Sequence, residues 1–255
     1  MRPIRVLLAV SAVALVAAAC GDDSTPAASG GSSAPAASAS ASAGSSSGDV
    51  SALPAAEIVS RAKDAFKKAT SVHVTGGGTS GQQTFKVDMR YTADGKAIGT
   101  VDNGGQTVEI RRLGQTIYVK ASPAFWSAAG GAKAGTLFGN KYVKAPVNDQ
   151  RVAPIVSLTD KGSFIDSALA TTGTVTKGAT KTINGTPAVA LTIKDSSGGS
   201  TLYVASTGEP LPVEALPEVG GTDTGKIDFV EYGATVDVAL PPAAQTVDVS
   251  ALPAN

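Results

Sequence analysis

Gln83-Thr-Phe-Lys-Val-Asp-Met-Arg-Tyr91 decides the fold class. Phe85, Val87, Met89 and Tyr91 alternate with Lys86, Asp88 and Arg90. A period of two gives a strand with one dry face and one wet face. Asp94-Gly95 follows as a favoured two-residue hairpin turn, and KAIGTVD returns. Asn103-Gly104-Gly105 turns again into QTVEIRRL, where Val108 and Ile110 share a face. Gly114-Gln115 then leads to TIYVKA, with Ile117 and Val119 on one side.

The pattern resumes further on. KTINGTPAVALTIKD holds an Asn184-Gly185 turn and the alternating Val189, Leu191 and Ile193. TLYVAS presents Leu202 and Val204, and LPVEAL and KIDFVEYG follow. About ten or eleven short strands at meander spacing are expected, and without βαβ alternation the sheet should be antiparallel.

The other segments supply cover for the dry face. From Pro54 to Thr70, Ile58, Ala62, Ala65, Phe66 and Ala69 recur at helical spacing. Ser122 to Gly139 reads as a small-residue loop holding Phe125, Trp126, Leu137 and Phe138. KYVKAP reads as a strand. RVAPIVSL and KGSFIDSALA read as short helices, the second with Phe164, Ile165 and Leu169 apolar. The expected class is α+β: one large curved antiparallel sheet with about three helices on its dry, concave face.

The N-terminal fifth has a different character. Arg2 and Arg5 precede an apolar run, Val6 to Ala19, interrupted only by Ser11. A charged start, an apolar run and small residues make a signal peptide over residues 1–19. Cys20 is the single cysteine, so no intrachain disulfide can form. Ala17-Ala18-Ala19-Cys20 resembles the lipobox of bacterial lipoproteins, with Ala17 where that motif usually has Leu. The alternative is an ordinary secretory signal with an incidental cysteine. As a lipobox, it makes Cys20 the acylated first residue of the mature chain, anchored on the extracytoplasmic face of the cell membrane. Residues 20–52 are then the acylated Cys and a Ser/Ala/Gly/Pro tether, too poor in large apolar groups to order itself. A flexible tether of ~30 residues spans roughly 30 Å. Residues 53–255 form one domain, the size of a single core.

Composition removes several functions. Lys plus Arg and Asp plus Glu stand at 21 each, with no basic stripe, so nucleic acid is not an expected partner. His73 is the only histidine and no GxSxG surrounds a serine. Carboxylates such as Asp88, Glu109, Asp166 and Glu231 are scattered. No enzyme activity, catalytic residue, metal site or cofactor is expected, and the domain is expected to be a monomer.

Order along the chain now becomes informative. SVHVTG, GQTIYVKAS, NKYVKAP, INGTPAVALTI and TLYVASTGEPLPVEA are followed by Phe229-Val230-Glu231-Tyr232-Gly233, Pro241 and Pro242. This succession resembles the LppX/LprG family of actinobacterial lipoproteins, whose fold is similar to the LolA carriers. The resemblance implies a half-open barrel capped by helices, and an apolar cavity for the acyl chains of a lipid or lipoglycan carried in the cell envelope. A membrane transporter is then a candidate partner.

Residue alternation alone leaves a packed core and a lined cavity both open. If lined, the cavity would draw on Phe85, Val87, Met89, Tyr91, Val108, Ile110, Ile117, Val119, Phe164, Ile165, Leu169, Val189, Leu191, Ile193, Leu202 and Val204. If packed, the domain is a tethered scaffold, interaction or sensor module without ligand. Phe125, Trp126, Leu137 and Phe138 form either a gate or the anchors of a surface loop. Arg112 shares the dry face with Val108 and Ile110. It either reaches water or a carboxylate at the rim, or grips an anionic head group. The intact mass of membrane-extracted protein tests the anchor: it should begin at Cys20 and carry acyl chains, and an unmodified mass beginning elsewhere overturns it.

Overall fold

Alternating strands close together in sequence pair with their neighbours, and two meanders result. The computed structural model describes residues 48–169, 173–195, 198–217 and 224–251. The expected signal segment, Cys20 and most of the tether lie outside these. Val50 is buried in the core and its N–H donates to the Ser206 carbonyl, so folded structure begins ahead of Leu53.

The first meander comprises β1 (Ser71–Ser80), β2 (Gln83–Thr92), β3 (Ala97–Asn103), β4 (Gln106–Leu113), β5 (Thr116–Ala121) and β6 (Tyr142–Pro146). The second comprises β7 (Thr174–Ile183), β8 (Thr186–Asp195), β9 (Gly198–Ala205), β10 (Pro212–Pro217) and β11 (Thr224–Val230). A last short strand, β12 (Thr246–Asp248), pairs with β6. The single sheet runs β12-β6-β5-β4-β3-β2-β1-β11-β10-β9-β8-β7 and is not closed.

Two expectations need correction. The β12–β6 pair is parallel, so the sheet is mixed, although every other pair is antiparallel. There are 12 strands among the described residues, and β12 accounts for the excess over eleven. β7 is mostly exposed and β12 has three residues, so neither carries a readable dry face.

Register converts alternation into layers. Phe229, Val74, Met89, Gly99, Ile110, Val119 and Val143 are successive partners across seven strands and form one apolar row. The adjacent row, Asp228, Thr75, Asp88, Thr100, Glu109, Lys120 and Tyr142, faces the other way and is polar. On that outer face Tyr142 Oη donates to Glu109 at 2.5 Å and Arg111 donates to both. Burial and this hydrogen bond push the Tyr142 phenol up to about 12. Ser71 Oγ donates to the Ala234 carbonyl and Arg111 Nη1 to that of Ala239. These bonds guide the chain after β11 across to β12.

Four α-helices are present among the described residues: α1 (Ala55–Lys68), α2 (Pro123–Phe138), α3 (Ala153–Thr159) and α4 (Lys161–Ala168). α1 buries Ile58, Val59, Ala62, Ala65 and Phe66, the face its periodicity predicts. α2 replaces the expected loop. Ser122 caps it by accepting from Phe125 N–H, and Pro123 sits at its first turn. Gly130 and Gly131 then break it into a helical hairpin. Between Phe125-Trp126 and Leu137-Phe138 its residues are mostly small, so no amphipathic period marks it.

The two meanders meet only at β1–β11, and glycine permits the contact. A Cβ on Gly78 would lie 1.8 Å from the Thr224 carbonyl oxygen; one on Gly225, at φ +108°, would lie 2.1 Å from that of Gly77. Gly225→Ala should therefore destabilise by ~1–3 kcal/mol or more. Gly95 has positive φ but open space around it. Gly95→Asn should cost much less, since Asn tolerates that conformation. Thermal melting of the pair checks this, and equal losses would sink the steric account of the seam.

Candidate functional site

Apolar strand faces need cover, and the helices divide it into two cores. α1 and α4 lie over β1, β2, β8, β9 and β11, where Phe66, Val74, Met89, Tyr91, Ile165, Leu191, Leu202 and Val204 are buried together. The second core takes Val108, Ile110, Ile117, Val119 and Val143 from β4–β6, with Phe125, Trp126, Phe138, Ile155 and Val156 packed on it.

α4 is fixed at its N-terminal end. Asp160 caps it, accepting from Ser163 N–H at 2.8 Å. The other Asp160 oxygen faces Arg112 Nη1 at 3.4 Å. Burial alone would raise the Asp160 carboxyl, but the Ser163 hydrogen bonds and the Arg112 charge outweigh it, and its pKa lies below the usual value. Lys161 donates to the Ala69 carbonyl at the end of α1. Just before, Tyr91 Oη donates to the Leu158 carbonyl at 2.8 Å. Phe164 completes the latch, its ring centroid 5.5 Å from that of Tyr91 and 6.3 Å from that of Phe66.

The opposite end of α4 overhangs a cavity of about 210 Å³. Ala168 and Leu169 form its helical wall, and Phe85, Leu202, Ala215, Leu216 and Ile227 its apolar strand walls. Ser200, Thr201, Thr224, Gly225 and Lys226 complete the lining. Lys226 Nζ is engaged by Glu214 at 3.2 Å and Asp228 at 3.0 Å.

The residues singled out from sequence fall in different places. Phe85, Leu169 and Leu202 border the cavity. Met89, Tyr91, Ile165, Val189, Leu191, Ile193 and Val204 are buried in the first core, with Val87 and Phe164 packed at its margin. Val108, Ile110, Ile117 and Val119 belong to the second core. Trp126 meets Phe125 and Phe138 edge-on, with centroid separations of 5.2 and 5.5 Å, and none of the three lines the cavity. Leu137 points out. Arg112 is engaged by Asp160 and the Gly114 carbonyl. Ala215 and Ile227 were readable, since both sit in alternating strands. The hydroxyl lining carried no such signal.

His73 lies on the outer face with Nε2 3.0 Å from Asp88 and Nδ1 3.2 Å from Glu231, away from the cavity lining. Among the described residues no His/Cys/Asp/Glu group could hold a metal ion, and no helix is long and apolar enough to cross a membrane.

No family model matches the chain, and no curated protein does. Solved structures with a similar fold include LprF from Mycobacterium bovis, at 17% identity and TM-score 0.49, covering 73% of this chain and 96% of that one. Lipoprotein LppX from Mycobacterium tuberculosis aligns at 20% identity and TM-score 0.46, covering 72% and 97%. An uncharacterized conserved protein from Thermus thermophilus aligns at 12% identity and TM-score 0.41, covering 76% and 98%.

The α4 latch is open to titration. A carboxyl with a depressed folded pKa stabilises fully above its unfolded value of ~4, and that contribution fades as pH falls below it. Asp160→Ala should lose ~0.5–2 kcal/mol at neutral pH from the cap. The gap between parent and variant should narrow as pH drops below ~4. Asp160→Asn keeps a capping side chain and should lose less. Melting curves across pH check this; a gap that widens in acid contradicts the latch.

Proposed function

We propose that this protein is a membrane-tethered carrier or presenter of a lipid, held at the extracytoplasmic face through acylated Cys20. It binds acyl chains in the apolar space beneath α4. The observation that carries this reading is the cavity at the C-terminal end of α4, walled by Phe85, Leu169, Leu202, Leu216 and Ile227 and continuous with the first core. The resemblance of the strand order to the LppX/LprG family supports the same reading.

Volume sets a condition on it. About 210 Å³ is below the ~300–1,000 Å³ of sites for drug-sized ligands. A long chain therefore needs more room than this cavity, and the C-terminal turn of α4 is the wall that yields. That turn is exposed at Ser167 and Ala168 and lies beyond the Asp160 and Lys161 contacts; the half-exposed Asp166–Lys67 pair to α1, at 2.8 Å, and buried Leu169 are what must give. Loading then tilts α4 about its latched end.

A second reading has its own support. Ile110, Leu191 and their neighbours are fully buried, as a packed scaffold or sensor module requires. Bulk separates the two. Ala215→Phe places a ring in the cavity, while Leu191→Trp forces one into packed core. The carrier, purified without detergent, should bring lipid-sized mass in native mass spectrometry. Ala215→Phe should lose that mass and keep its melting transition, while Leu191→Trp should lose ~1–3 kcal/mol of stability. A parent without lipid, and an Ala215→Phe variant as destabilised as Leu191→Trp, would return the domain to the packed reading.

A further inference from the structure

The corner where β5, α2 and β6 meet has a chemistry that lipid carriage does not use. The two halves of α2 fold against each other: a Cβ on Gly135 would lie 2.0 Å from Ser127 Oγ and 2.8 Å from the Pro123 carbonyl oxygen. Residues 127–133, around the bend, are all exposed, and Lys133 is the only charge in the helix. Among the described residues, Leu137 at 41% and Leu240 at 66% are the exposed large hydrophobics. Leu137 belongs to this corner, whereas Leu240 follows Ala239, whose carbonyl accepts from Arg111 on the outer face of β4. Leu137 lies just ahead of β6, and Leu240 six residues ahead of Thr246, which pairs with Tyr142 at the start of β6.

Charge is distributed with the same bias. From Ile110 to Asn148 the chain carries six Lys and Arg and no Asp or Glu. Arg111, Arg112 and Lys144 are held by Glu109, Asp160 and Asp248. Lys120 lies over the Tyr142 ring. Lys133 and Lys141 are exposed, and neither has a carboxylate at ion-pair distance among the described residues.

We infer that the α2 hairpin is a membrane-docking element: its Ala/Gly tip and Leu137 enter the interfacial region of an anionic leaflet while Lys133 and Lys141 meet the head groups. This rests on the anchor at Cys20, though not on any cargo. Behaving as a random coil, the 27 residues between Cys20 and Gly48 would have a typical span of roughly 30 Å, so a bilayer is the surface this corner would meet most often. A bilayer also suits what the hairpin offers. Interfacial binding scales with apolar area and attraction to anionic lipid, and needs no shaped pocket. Exposed alanines and glycines provide area without the aromatic anchors that a protein interface concentrates.

Trp126 is the sole tryptophan and sits in the first half of the hairpin, so its emission reports docking directly. The full chain is reconstituted in phosphatidylglycerol/phosphatidylcholine vesicles whose acyl chains are brominated, and in unbrominated ones. Bromine should lower Trp126 emission, and the loss should vanish in Ala129→Asp and in Lys133→Glu/Lys141→Glu, whose altered residues are exposed and outside both cores. Moving the probe to the tip, Ala129→Trp with Trp126→Phe, should deepen the quenching. Unquenched Trp126 overturns docking, as does equal quenching by pure phosphatidylcholine. Quenching that persists in the charge variants overturns it too, because lipid would then reach Trp126 from inside the domain. Native mass reports cargo separately, so a chain that carries lipid without docking is recognised as such.

Discussion

The β1–β11 contact holds the molecule together. Strands β2 to β6 hang from one side of β1, and β10 to β7 from one side of β11. The register from His73↔Val230 to Thr79↔Thr224 is the only ladder between the halves among the described residues. Its partners are about 150 residues apart in sequence, so closing it costs loop entropy that no local hairpin requires. Gly76, Gly78 and Gly225 bring the two backbones closer than side chains would allow. The curvature that lets α1 and α4 rest on both halves at once depends on this seam.

What each face of the seam carries explains the division of labour. Inward, Val72, Val74 and Phe229 give α1 a surface, and Phe66 meets Phe229 edge-on at 5.8 Å. Outward, His73 lies between Asp88 and Glu231, one on β2 and one just past β11. Arg90 approaches both carboxylates, at 3.2 and 3.6 Å. These half-exposed ion pairs are worth little individually in water. Their geometric effect is larger: they tie β1 to β2 and to the start of the tail. Glu231 adopts φ +52° there, and the chain turns out of β11 toward the ridge along which it reaches β6.

Much of this was legible in the residues, for a physical reason. β2 to β5, β8 and β9 have one dry and one wet face, and that difference is written as alternation. α1 announces itself because Ile58, Ala62 and Phe66 face a core while Arg61, Lys63 and Lys68 do not. Elements without such a contrast left little trace. β7 is an edge strand with both faces largely wet, and only the Asn184-Gly185 turn at its end marks it. β12 is held by partner and register rather than by pattern. α2 has its large residues, Phe125, Trp126, Leu137 and Phe138, only near its two ends with mostly alanine and glycine between, so neither its period nor its bend at Gly130 could be read. The candidate site was only partly legible for a related cause. Phe85, Leu169 and Leu202 declared themselves apolar, but whether an apolar side chain meets a neighbour or a space depends on the tilt of α4, and that is set by Asp160, Lys161 and Tyr91 from elsewhere in the chain.

For a carrier, the energetic question is where cargo comes from. Burying a methylene is worth ~0.8 kcal/mol relative to water, so two chains of about sixteen carbons would release roughly 25 kcal/mol. That exceeds the ~20 kcal/mol at which non-covalent affinity saturates, so water is the wrong reference. A bilayer buries the same methylenes, and the apolar terms nearly cancel on transfer. What remains is local: the cost of displacing the C-terminal turn of α4, and the fit of the chain against Leu202, Ala215 and Ile227. Such a balance lets exchange run in either direction without a bound energy source, provided the domain can be brought to the leaflet in a fixed orientation. The tether expected from the sequence would supply proximity but no orientation. A docking corner at the opposite end of the sheet order from β7 would supply it, and places the demand for specificity on which face of the domain meets the membrane.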